Sequence, residues 1–164
     1  MPAPATPVGT SSESPSSGFE LPTPTCPSPP DAVRVPDLTV SIANGPTIVA
    51  TRRSSTFTTC TTTAASDAAP KDPTDGLAAH AGDRMTLNLP AGWGFLHREG
   101  YDRPAAGQGG NIWPAVDSPE RPMHIDVPVP ARPGDSIAEC GLWIVSLDGR
   151  VVGQLDILVR VTLG

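Results

Sequence analysis

Proline and glycine punctuate this chain so densely that a helical fold has no room to form. The 21 Pro and 16 Gly among 164 residues interrupt nearly every stretch long enough for an amphipathic helix. Proline lacks the amide donor that a helix interior needs, and glycine carries the largest entropy cost there. No segment sustains a 3.6-residue apolar period; what survives between the breaks is alternation with period two, the mark of a strand with one buried face. Residues 38–42, 47–50, 55–60, 84–89, 93–97, 123–127, 137–147 and 151–163 carry it in varying strength. In the last of these Val151, Gly153, Leu155, Ile157, Val159 and Val161 share one face, and Gln154, Asp156, Arg160 and Thr162 the other, with Val152 and Leu158 as apolar interruptions. Asp148-Gly149, between the final two segments, is the strongest hairpin signal, and Asn44-Gly45 marks a second turn. Seven to eight strands within residues 37–164 predict one antiparallel β-sandwich. Its core must be built mainly from Val, Ile and Leu, since the chain holds only three Trp, three Phe and one Tyr.

Residues 1–36 differ in texture. They contain ten Pro and ten Ser or Thr, with Val8, Phe19, Leu21, Val33 and Val35 as the bulky apolar residues. Too little apolar surface is available to offset the entropy of ordering, so a disordered spacer is expected here, extended where proline favours polyproline-like conformations. Residues 61–82 and 99–121 read as long loops. The second is rich in Gly and Pro and carries Tyr101 and Trp113, which makes it the natural place for a binding site.

Charge and motif content narrow the function classes. Seventeen acidic against eleven basic side chains, a net charge of −6, argue against general nucleic-acid binding, which needs a surplus of Lys and Arg. No apolar run approaches the ~20 residues of a membrane-spanning helix. The first residues lack the basic and apolar regions of a secretory signal, and Cys26 lacks the apolar residues that precede a lipidated cysteine. Cys60 and Cys140 both fall in predicted strands and are the first choice for a disulfide, which would stabilise the fold by about 4.5 kcal/mol in the chain-entropy model and place it in an oxidising compartment. The alternative is a pair of buried, reduced thiols. A nucleophile elbow, a phosphate-binding loop and a zinc-protease helix motif are all missing, and no cofactor is implied. Of the three histidines, His97 and His124 lie at strand candidates, where a metal-dependent or acid–base enzyme would use them with a nearby Asp; unrelated surface histidines are the simpler reading. A blue-copper site is excluded by the absence of His or Met after Cys140.

The aromatics offer the sharpest functional hypothesis. Trp93, Tyr101 and Trp113 in or beside the 99–121 loop form either a stacking platform for a sugar or peptide, or anchors that pin the loop to the sandwich edge. Residues 36–40, 55–60, the Ala81-Gly82-Asp83-Arg84 lead-in and Pro133-Gly134 before residues 137–147 resemble, in layout, bacterial cell-surface or secreted proteins, often lipoproteins, that join a Pro/Ser/Thr-rich spacer to an immunoglobulin-like β-sandwich. That resemblance implies an immunoglobulin-like fold, an extracellular or cell-envelope location and no catalytic site. The expectation is thus a non-enzymatic module that binds a protein or carbohydrate partner through residues 99–121, with a structural assembly subunit as a further alternative.

Overall fold

A computed structural model describes residues 19–25, 33–43, 45–67 and 71–164. Among them are eleven strands and no helix: β1 (Thr39–Ile42), β2 (Thr47–Val49), β3 (Thr51–Thr58), β4 (Thr63–Asp67), β5 (Gly76–Ala79), β6 (Arg84–Asn88), β7 (Trp93–Pro104), β8 (Asn111–Asp117), β9 (His124–Pro128), β10 (Gly134–Ser146) and β11 (Val152–Leu163). They form a smaller sheet in the order β2-β1-β6-β9 and a larger one in the order β4-β3-β11-β10-β7-β8, with β5 beside β11. The β5–β11 pair is parallel; the other pairings are antiparallel.

Alternation builds the core as expected. Val40 and Ile42 of β1 and Met85 and Leu87 of β6 face Leu142 and Ile144 of β10 and Leu155, Ile157 and Val159 of β11 in one buried cluster. Burying each such side chain contributes about 1.5–3 kcal/mol. The hairpin at Asp148-Gly149 forms as its residues dictate. Gly149 takes a positive φ of 73°, and the Asp148 carboxylate accepts from the Ser146 hydroxyl and the Arg150 amide.

The strand count exceeds seven to eight because both presumed loops contain strands. The 61–82 segment supplies β4 and β5, and the 99–121 segment is the outer part of β7 turning into β8. β4 is exposed at every residue, so backbone pairing with β3 holds it and no apolar alternation marks it. The leader is not uniformly loose either. Its residues 1–18 and 26–32 lie outside the described residues, but Val33 and Val35 pack against the core. Phe19 packs against Leu96, Val145 and Val152 on the outer face of the larger sheet.

The Cys60–Cys140 bridge is not formed: Cys140 is a free, buried thiol. Register explains why. Cys140 pairs with Ile157 and Ile157 with Arg52, whereas Cys60 lies beyond the end of β3 at Thr58. Six residues of strand separate the two levels by about 20 Å, far past the ~7 Å Cα separation a disulfide tolerates. Burial pushes the Cys140 thiol up to about 12, against a small opposing pull from Arg98.

Two outcomes are expected. Maleimide at about pH 8 should leave Cys140 unlabelled in the native protein and modify it after denaturation, as read by peptide mapping, because the thiolate is the reactive form. Gly153 pairs with Phe57, and a Cβ there would stand 2.4 Å from the Phe57 ring and 2.8 Å from the Thr56 carbonyl oxygen. Gly153→Ala should therefore lower stability by about 1–3 kcal/mol in chemical denaturation; an unchanged midpoint would contradict this packing.

Candidate functional site

The inner face of the larger sheet makes the core, so its outer face must be filled some other way. Cross-strand register sorts that face into rows. One row runs Asp67 (β4), Ser54 (β3), Asp156 (β11), Gly141 (β10), Glu99 (β7), each directly opposite the next. The neighbouring row runs Leu158, Glu139, Tyr101, Ile112 across β11, β10, β7 and β8. These two rows, with Leu158 itself buried, line a groove of about 1010 Å³. Gly141 leaves its floor low: a side chain there would first meet Asp156 Oδ1 at 3.4 Å and the Trp143 ring at 3.5 Å.

Both long sides of the groove are closed by other parts of the chain. On one side the next row holds Trp143 opposite His97, and the Phe19 ring covers both. It stacks on His97 at a centroid distance of 4.6 Å and meets Trp143 edge-on at 6.2 Å. The Thr25 amide donates to the Gly149 carbonyl at 2.9 Å, so residues 19–25 form a strap tied at both ends. This accounts for Val152, the first apolar interruption in β11, which lies beneath the strap. On the other side Ile137 is fully buried between Arg103 and Arg160, whose aliphatic stems suit the covering of apolar surface. Arg103 is held by Asp72 at 2.7 Å and Arg160 by Asp135 at 2.6 Å. The Arg103 hydrogen bond keeps the Asp72 carboxyl below its usual range.

The groove is acidic over an apolar base. Asp67, Glu99, Glu139 and Asp156 line it against the guanidinium of Arg53, and Ile112 and Tyr101 contribute exposed apolar and aromatic surface. Asp156 is internally satisfied, accepting from the Ser54 hydroxyl at 2.5 Å and from Gln154 Nε2 at 3.3 Å. Glu139 is less well served. Its side chain is 11% exposed and its Oε1 lies 3.3 Å from Arg53 and 3.8 Å from Arg103, while Oε2 is buried without a hydrogen-bond partner among the described residues. Burial raises the Glu139 carboxyl above its ordinary range; Arg53 opposes this, and Asp72 and Asp156 add to it.

The residues singled out by sequence scatter. Tyr101 is exposed at the groove, beside Ile112, which is 89% exposed. Trp113 also borders the groove but is buried in the core, its Nε1 donating to Asp102 at 2.8 Å. Asp102 in turn holds Arg132 at 3.1 Å, a buried ion pair that clamps the segment before β10. Trp93 stands at the other end of β7, about 26 Å along the strand from Tyr101, edge-on to Phe57 at 5.8 Å. The three aromatics therefore form no single platform. His97 and His124 are not brought together either. His97 lies in the larger sheet, buried, with Nδ1 2.5 Å from Asp117, whereas His124 is exposed on β9 of the smaller sheet. Among the described residues no group of three or more His, Cys, Asp or Glu is placed to hold a metal ion. Sequence reasoning missed Glu99, Glu139, Gly141 and Asp156 because their meeting depends on strand order. The apolar interruptions at Val152 and Leu158 were the visible signs that this face of β11 is not simply wet.

In comparisons with protein families, curated proteins and solved structures, nothing matches this chain.

The strap generates its own test. Phe19→Ala should cost about 1–3 kcal/mol, below the range for a fully buried Phe because Phe19 is only half-buried. It should also red-shift Trp143 emission and speed amide exchange in residues 19–25 and at the Trp143 level of β10. Unchanged exchange in both would mean the strap is not fastened by Phe19.

Proposed function

We propose that this chain is a non-enzymatic binding module of the cell envelope or extracellular space, and that its ligand, a protein or carbohydrate, seats in the groove on the outer face of the larger sheet. The observation that carries the reading is the groove itself: a concave surface of about 1010 Å³, walled along both long sides, with Tyr101 and Ile112 exposed at its rim. Ligand sites combine such apolar and aromatic surface with a few fixed polar groups. The 99–121 segment contributes through Tyr101, Ile112 and Trp113, as strands of a hairpin. The envelope location rests on the layout of spacer and sandwich alone.

A phage-displayed heptapeptide library and an immobilised glycan panel are suitable probes. Ligands selected on the wild-type protein are expected to lose at least about tenfold in affinity, ~1.4 kcal/mol, with Tyr101→Ala. They should retain affinity with Val49→Ser, an exposed position in the smaller sheet. Selected ligands indifferent to Tyr101 and Gly141 substitutions would place binding elsewhere and overturn the reading. Export is tested by fractionating cells that express the full chain; recovery solely in the cytoplasm would remove the envelope assignment.

A further inference from the structure

Resting on that reading, we propose that the occupant of the groove is an extended peptide segment bearing Arg or Lys side chains that alternate with apolar ones. Three observations lead there. The carboxylates are set out in a line across strands: Asp67, Asp156 and Glu99 belong to one cross-strand row on β4, β11 and β7, with Glu139 in the adjoining row on β10. With strands ~4.8 Å apart, the six strands from β4 to β8 span about 24 Å, the length of about seven extended residues at ~3.3 Å each. A small cation would engage one or two of these groups, whereas an extended chain meets them in turn.

The second observation is the apolar surface interleaved with the charge. Ile112, 89% exposed, lies directly opposite the exposed Tyr101, and Tyr101 directly opposite Glu139, so acidic and apolar positions neighbour each other along the groove. A ligand that satisfies both must carry cationic and apolar groups at strand spacing, which an extended peptide does by presenting them side by side. The third is the state of Glu139. Its charge is only partly compensated, by Arg53 at 3.3 Å and Arg103 at 3.8 Å, so a cationic group entering the groove adds charge complementarity at this point. Guanidinium groups suit this role because they bond carboxylates in a fork. Complementary charge of this kind sets partner choice and association rate.

The test uses the full chain and a fluorescein-labelled heptapeptide of alternating arginine and leucine, with the glutamate–leucine counterpart and chitohexaose as comparison probes. The arginine peptide is expected to bind with an affinity that falls about tenfold or more between about 50 and 500 mM sodium chloride, as the Debye length shrinks. Glu99→Gln and Asp156→Asn should each weaken it about fivefold, consistent with loss of one charge-assisted contact. Gly141→Leu, which fills the floor from a position with no close backbone neighbour, should abolish binding, and Val49→Ser should leave it unchanged. Equal binding to Gly141→Leu, with Glu99→Gln also indifferent, would mean diffuse attraction to an acidic protein and would overturn the proposal. Binding of chitohexaose in a Tyr101-dependent way without binding of the arginine peptide would overturn the cationic ligand and keep the groove as a binding site. No binding of the arginine peptide, of chitohexaose or of any library member at the groove would overturn both.

Discussion

A seven-stranded sheet with the core on one side has a second face of equal extent, and the way this chain deals with that face organises the rest of the molecule. The inner face is conventional: alternating aliphatic residues of two sheets meet in one cluster, and their burial is the dominant favourable term. The outer face cannot be entirely polar, because β11 and β10 place Val152, Leu158, Ile137 and Val145 on it, all buried. Two devices cover three of them. Phe19, at the edge of a proline-rich leader, lies over the Val145–Val152 level. Two arginine stems flank Ile137. Around Gly141 and the buried Leu158 the face is left as a groove.

The same constraint explains why the 99–121 segment is ordered. β7 and β8 extend the larger sheet beyond what apolar alternation supports, and the hairpin is secured at its far end by polar contacts in the interior. Trp113 caps the core edge and gives its indole N–H to Asp102, which also holds Arg132. A buried pair of this type seldom adds net stability over an apolar substitute. Losing one member, however, strands the other at a cost of about 3–5 kcal/mol. Through Trp113 it ties β8 to β7, and β8 places Ile112 opposite Tyr101 at the groove.

Much of the inner architecture was legible because period-two alternation is a local property. β1, β6, β9, β10 and β11 could be read from neighbouring residues, as could the Asp148-Gly149 turn. The elements that escaped notice share one cause. β4, β5 and β8 are held by backbone pairing, β5 to the distant β11 and β4 and β8 to the strands just before them, and their side chains are small, exposed or interrupted by Pro114. Phe19 was a lone aromatic among prolines, and nothing local signals that Trp143 and His97 lie in wait for it. The cysteine pairing failed for the complementary reason. Both residues had plausible local settings, but register along β3 and β11 separates them. The groove is legible only at Leu158, where alternation breaks on the face that later proves to be occupied surface.

The acidity of the groove is the least economical feature of the fold. Placing Asp67, Asp156, Glu99 and Glu139 on one face of one sheet brings like charges within interaction range in a chain whose net charge is already −6, and neighbouring carboxylates repel. Part of this is relieved internally, by Ser54 and Gln154 on Asp156 and by Arg53 on Glu139. Glu139 still sits with its carboxyl raised by burial. A carboxyl raised in the folded state favours folding while it is protonated, and that contribution is lost as pH rises through the raised value. Glu139 thus stands at the groove with its charge only partly compensated, by Arg53 at 3.3 Å and Arg103 at 3.8 Å. An apolar or amide side chain at this position would remove the repulsion from within, whereas the cationic ligand proposed above would offset it from without.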